Sequence, residues 1–193
     1  MKRRSFISLT LSGIGYIVLG NVMCLVMTMA LAMFGKSIFF NAVSILCCSA
    51  VFFMLVFTVA WKDGTAERSL VKNGRVDKPL KYRWIFIGLV MFAVASLPTW
   101  VLLINKLFFP EADTLFVYRF ISGSAFPFIQ MFIPDVVTDT EAWVPTTLRQ
   151  IDNMSVAFPA LMLVYYLLIP VVTQLGFYMG YNDKLNTDKI MYN

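Results

Sequence analysis

The sequence predicts an all-α integral membrane bundle of four transmembrane helices, with an outer amphipathic or re-entrant helical element between the third and the fourth. Three observations carry this. Of the 193 residues, 59% are hydrophobic and 14% charged, against about 25% charged in soluble domains. The mean hydropathy is +0.74, more apolar surface than a soluble chain of this length can hide, because its surface-to-volume ratio is too high. The apolar residues also fall into four runs, each supplying the roughly 20 residues needed to cross a hydrocarbon core about 30 Å thick.

The first run, 5–34, carries no charge. At about 1.5 Å per residue it extends about 45 Å, so it must tilt or rest its ends in the interface. Met1-Lys2-Arg3-Arg4 ahead of it has the charge of a signal-peptide start. The run lacks a small-residue cleavage pattern and exceeds a usual signal core, so it is read as an uncleaved first helix. Further spans are expected at 38–61, 84–104 and 154–180. With no internal repeat visible, 1–193 reads as a single membrane domain.

Orientation follows from Lys and Arg. With the N-terminus inside, 1–4, 62–83 and 181–193 are cytoplasmic and hold 12 of the 16 basic residues. Lys36, Lys106, Arg119 and Arg149 fall outside, with six of the 11 acids. Both termini are then cytoplasmic. Trp61, Tyr82, Trp84, Trp100 and Tyr181 mark the span edges, as interfacial aromatics do. The net charge of +5 is loop bias of this kind rather than a nucleic-acid-binding face, which needs a basic, aromatic-lined soluble domain.

The outer segment, 105–153, holds the one ambiguous stretch, 114–133, which is long enough to cross. Pro110, Glu111 and Asp113 read as a helix start with acids in its first turn. The expectation is a helix over 111–121, a break at Ser122-Gly123-Ser124 and a second segment over 126–133. A fifth full span would send the tail outside and weaken the charge asymmetry.

In the loop 62–83, Asp63-Gly64 and Asn73-Gly74 are turn dipeptides. The second, flanked by Val71 and Val76, is placed to close a small hairpin. Seven bases against three acids suit anionic headgroups or a cytoplasmic docking partner. Phe34-Gly35-Lys36-Ser37 lacks the upstream glycine of a phosphate-binding loop and reads as an outer turn. Trp61, Gly64, Glu67, Val71, Gly74-Arg75, Lys78 and Lys81, with Gly176-Phe177-Tyr178-Met179-Gly180-Tyr181 and Lys189-Ile190-Met191-Tyr192, resemble a group of small uncharacterised multi-pass membrane proteins of Gram-positive bacteria. The likeness covers about a fifth of the chain, the loop and the tail. Ala66-Glu67 departs from the Arg-Asp pair more usual there. The group has no assigned activity, so the resemblance implies only a bacterial membrane protein.

No span interior holds Asp, Glu, Lys, Arg or His, and the chain has no histidine at all. Intramembrane ionisable groups usually mark function; their absence argues against proton relays, intramembrane proteases and proton-coupled antiport. Cys24, Cys47 and Cys48 lie in apolar runs without metal-ligand spacing and read as small buried hydrophobes. No catalytic residue, metal or cofactor is therefore expected. Gly20, Cys24, Thr28 and Ala32 recur every four residues, and Gly176 and Gly180 form GxxxG. Both are faces that let helices approach closely, with Ser44 and Cys48 a shorter version. Asn21, Pro98, Pro170 and Gln174 are the candidates for lining a cavity, since each proline frees a backbone carbonyl and should kink its helix. Arg119 is the one charge set in an apolar segment and is expected to snorkel to headgroups or pair with Glu111 or Asp113. Asn153-Met154-Ser155 fits a glycosylation sequon that a bacterial chain would leave idle.

These features point first to a non-enzymatic accessory or subunit of a bacterial cell membrane, in contact with the bilayer and packing with another membrane protein or with itself. The alternatives are a small permease built on the proline-containing helices three and four, and a lipid-directed enzyme using Asp135, Asp139 and Glu141. Reporter fusions at 68–75 should read cytoplasmic and fusions near 106 external; the reverse pattern would break the orientation.

Overall fold

The computed structural model describes residues 3–32, 38–80, 82–109, 114–133, 151 and 154–182. Among the described residues, four helices are long and apolar enough to cross a membrane: α1 (Phe6–Ala32), α2 (Ile38–Lys72), α3 (Arg83–Phe108) and α6 (Ala157–Tyr181). Between α3 and α6 lie two short helices, α4 (Leu115–Ile121) and α5 (Phe126–Phe132), joined by a 3-10 turn at Gly123–Ala125. No strand occurs among the described residues. Only 22–39% of the most apolar window of each long helix is buried inside the protein. The remaining leucine, valine, methionine and phenylalanine surface is far beyond what a water-facing monomer shows, and a lipid surround accounts for it.

The pair α4 and α5 bends by 107°, at the break that Ser122-Gly123-Ser124 predicts. Its two arms measure about 10 and 16 Å at helical rises. Bent this far, they advance together at most about 16 Å along any one axis, roughly half of a hydrocarbon core. By itself the bent pair is shorter than a full crossing.

The loop expected over 62–83 departs from expectation. Helix α2 does not stop at Trp61 but continues to Lys72. Asp63-Gly64 is therefore helical, not a turn, and both residues are buried. No hairpin forms at Asn73-Gly74. Gly74 takes φ +65°, and its N–H reaches Val71 O at 3.1 Å while Arg75 N–H reaches Leu70 O at 3.0 Å. Those paired bonds, with a left-handed glycine between them, close the C-terminus of α2. The dipeptide needs a positive φ in either structure, so sequence alone does not separate cap from hairpin.

The chain divides into two compact units. The first comprises Met1–Leu19, Phe53–Val94 and Leu167–Asn193. There α1 buries Leu9, Gly13 and Ile17 on one face, and α2 and α6 meet backbone to backbone. A Cβ on Gly176 would sit 2.7 Å from Phe57 O; one on Gly180 would strike Trp61 O; one on Gly64 would strike Phe177 O and come within 2.9 Å of Tyr181 N. Trp61 and Gly64 on α2 and Gly176, Phe177, Gly180 and Tyr181 on α6 are thus the two sides of one close helix crossing. Pro170 is buried, its Cα 2.6 Å from where a Cβ on Gly88 of α3 would stand.

The second unit comprises Gly20–Phe52 and Ala95–Tyr166. Here Gly20, Cys24 and Thr28 of α1 are buried, as are Ser44 and Cys48 of α2. Cys24 Sγ lies 3.2 Å from Cys48 O, and Thr28 Oγ1 lies 3.4 Å from Cys48 Sγ. The two small-residue stretches face each other across this contact. Ala32 closes α1.

Gly180→Val should remove about 3 kcal/mol of stability or prevent folding, since a backbone carbonyl cannot retreat. Gly74→Ala, with nothing within 4 Å, should cost only about 1 kcal/mol. Unfolding of both variants in detergent tests this; equal small losses would contradict the close crossing.

Candidate functional site

Two polar constellations stand out, one in each unit. In the second unit, the turn between α4 and α5 is enclosed: Ser122, Gly123, Ser124 and Ala125 are all buried. Irregular backbone at membrane depth survives only where protein covers it and satisfies its polar groups. Asn21 of α1 does part of this. Its Oδ1 accepts from Ser124 N–H at 3.0 Å and from Ser124 Oγ at 2.8 Å. The backbone donor fixes which end of the amide faces the turn. Ser124 Oγ has then given its proton to Asn21, so Tyr166, 3.1 Å away, donates to it. Gly123 passes against Asn21, where a Cβ would strike Asn21 O. Tyr118 on α4 is held to Thr99 of α3 at 3.0 Å, and Asn105 Nδ2 donates to Thr114 Oγ1 at 2.9 Å. Phe128 of α5 packs edge-on to Tyr165, ring centres 5.2 Å apart.

In the first unit, polarity gathers at the end of α2. Beyond Trp61 its inward face carries Asp63 and Glu67, 6% and 3% exposed. Two buried carboxylates need partners. Trp84 Nε1 donates to Asp63 at 2.9 Å. Arg3 grips both oxygens of Glu67, through Nε at 3.1 Å and through Nη2. That pairing holds the Arg3 guanidinium above its ordinary pKa. Arg3 Nη2 also reaches Lys78 O at 3.0 Å, and Arg83 donates to Arg4 O. The basic N-terminus is thereby stitched to the segment after the α2 cap. Thr173 Oγ1 of α6 lies 3.2 Å from Trp84 O.

Beside this cluster are two cavities sharing Pro79 and Tyr82 in their walls, of about 480 and 320 Å³. Arg83 and Phe86 line the larger; Gln174, Phe177, Tyr181 and Asn182 line the smaller.

The structure therefore distributes the predicted cavity residues. Gln174 lines a cavity in the first unit, which also holds Pro170, whereas Asn21 and Pro98 belong to the second. Helices α3 and α6 run unbroken through their prolines. Arg119 is half-buried on α4, and its Nε has no partner among the described residues. Glu111, Asp113, Asp135, Asp139, Glu141 and the sequon's Asn153 lie outside the described residues, as does the turn 34–37. Sequence reasoning missed Asp63, Trp84, Ser124 and Tyr166. The one available signal was two acids four residues apart, Asp63 and Glu67, ahead of a glycine-closed helix end.

The described residues contain no group of three or more His, Cys, Asp or Glu close enough to hold a metal ion. No protein-family model matches the chain, and no curated protein or solved structure resembles it significantly.

Asn21→Leu strands a buried backbone N–H and should cost about 1–3 kcal/mol, whereas Ser124→Ala loses only hydroxyl bonds and should cost about 1 kcal/mol. Thermal unfolding of the two variants in detergent tests the order; a larger loss in Ser124→Ala would reverse the account.

Proposed function

We propose that this is a non-enzymatic component of a bacterial cytoplasmic membrane that holds a basic helical projection against an acidic surface of a partner membrane protein. The observation supporting this is the continuation of α2 past its apolar stretch. Residues 62–72 add about 16 Å of helix, and its inner face is fixed by Asp63–Trp84, Glu67–Arg3 and the Gly64 contact with α6. A part-buried ion pair such as Glu67–Arg3 serves to specify geometry more than to add stability. The opposite face exposes Lys62, Ser69 and Lys72. An orientation signal alone requires charge but no such fixed shape. Spans without ionisable interior groups favour a scaffold over a catalyst.

A second reading, a small permease, draws support from the buried turn, because transporters build substrate sites on broken helices. The turn is closed by Gly123 against Asn21, which favours the first reading. A photo-crosslinker at Ser69 should form one discrete protein adduct in cells, lost on charge reversal at Lys62 and Lys72. Flux through reconstituted protein that disappears in Gln174→Leu, with no such adduct, would select the permease.

A further inference from the structure

We propose that the paired cavities at the inner ends of α3 and α6 form a binding groove for one anionic phospholipid. The site is independent of the docking face, since it lies on α3, α6 and the segment after the α2 cap. Its size fits: cavities of about 480 and 320 Å³ on either hand of Pro79 and Tyr82, which line both, fall within the range of small-molecule sites.

Its composition suits each part of such a molecule. Arg83 lines the larger cavity and uses one bond on Arg4 O, out of the five donors a guanidinium carries. Arg75, Lys78, Lys81 and Arg83 stand against Asp77 alone between residues 73 and 83, so the segment is electrically complementary to a phosphodiester. Guanidinium and phosphate pair in bidentate geometry, which a zwitterionic headgroup's own cation weakens. Gln174 and Asn182 supply amides suited to glycerol hydroxyl and ester groups. Asn182 is exposed at the rim, its Nδ2 bonded to Tyr178 O at 3.0 Å.

The tails have a track as well. Phe86, Leu89 and Val90 on α3 and Val171 and Leu175 on α6 are exposed apolar side chains leading away from the cavities into the spans. Tyr82 and Tyr178, 68% and 51% exposed, have the amphipathic character of side chains at headgroup level. Charge at the end of an apolar track is the pattern a lipid matches and a soluble phosphate does not.

The test is native mass spectrometry of the full chain released from nanodiscs of equimolar phosphatidylglycerol and phosphatidylethanolamine. Phosphatidylglycerol should be retained selectively. Arg83→Gln should reduce its retention about tenfold, the loss of one charge-assisted contact. Asn182→Trp, which fills the rim without touching charge, should do the same if Arg83→Gln does not fold. Lys72→Gln, on the docking face, should leave retention unchanged. Equal retention of the two lipids, or an effect of Lys72→Gln matching that of Arg83→Gln, would overturn the proposal. Displacement of the lipid by millimolar glycerol 3-phosphate would overturn it in favour of a soluble phosphate site.

Discussion

Every backbone N–H and C=O placed in hydrocarbon must find its partner within the protein, at a cost of several kcal/mol for each that does not. The rest of this structure follows from that. Four long helices pair nearly all of their backbone groups internally, the carbonyls freed by Pro98 and Pro170 apart, and so can face lipid. The turn between α4 and α5 cannot, and it is therefore the most thoroughly enclosed irregular segment described, with Ser124 and Ala125 fully buried. Asn21, the one carboxamide side chain in α1, reads from sequence as a candidate for lining a cavity. In the structure it supplies the acceptor that lets the chain reverse at depth.

Close packing takes the place that water-driven burial holds in soluble domains. Glycines at 64, 176 and 180 bring α2 against α6, while Cys24, Thr28, Ser44 and Cys48 bring α1 against α2. These small-residue faces are occupied within the chain, so any partner must recognise something else. The projection of α2 offers charge and fixed shape instead, and the proposed function rests there.

How much of this was legible beforehand differs by element. The spans were, because the length and polarity of a run report directly on a slab of known thickness. The bend at 122–124 was, because Ser-Gly-Ser interrupts an apolar stretch and acids precede it. The end of α2 was not. Lys62, Asp63 and Gly64 signal a turn in any window that ignores distant residues, and only the approach of Phe177 and Tyr181 explains why a glycine stands inside a helix. Nor was the pairing of Glu67 with Arg3, 64 positions away in sequence, since nothing local marks one loop acid as buried and another as solvated.

The ties that hold the turn are made entirely of amide, hydroxyl and phenol groups. A membrane potential performs about 2.3 kcal/mol of work per 100 mV on each elementary charge carried across, and Asn21, Ser124 and Tyr166 offer it none. The fastening of α1 to the turn is electrically silent: it keeps the same strength in an energised cell and in one whose gradient has collapsed.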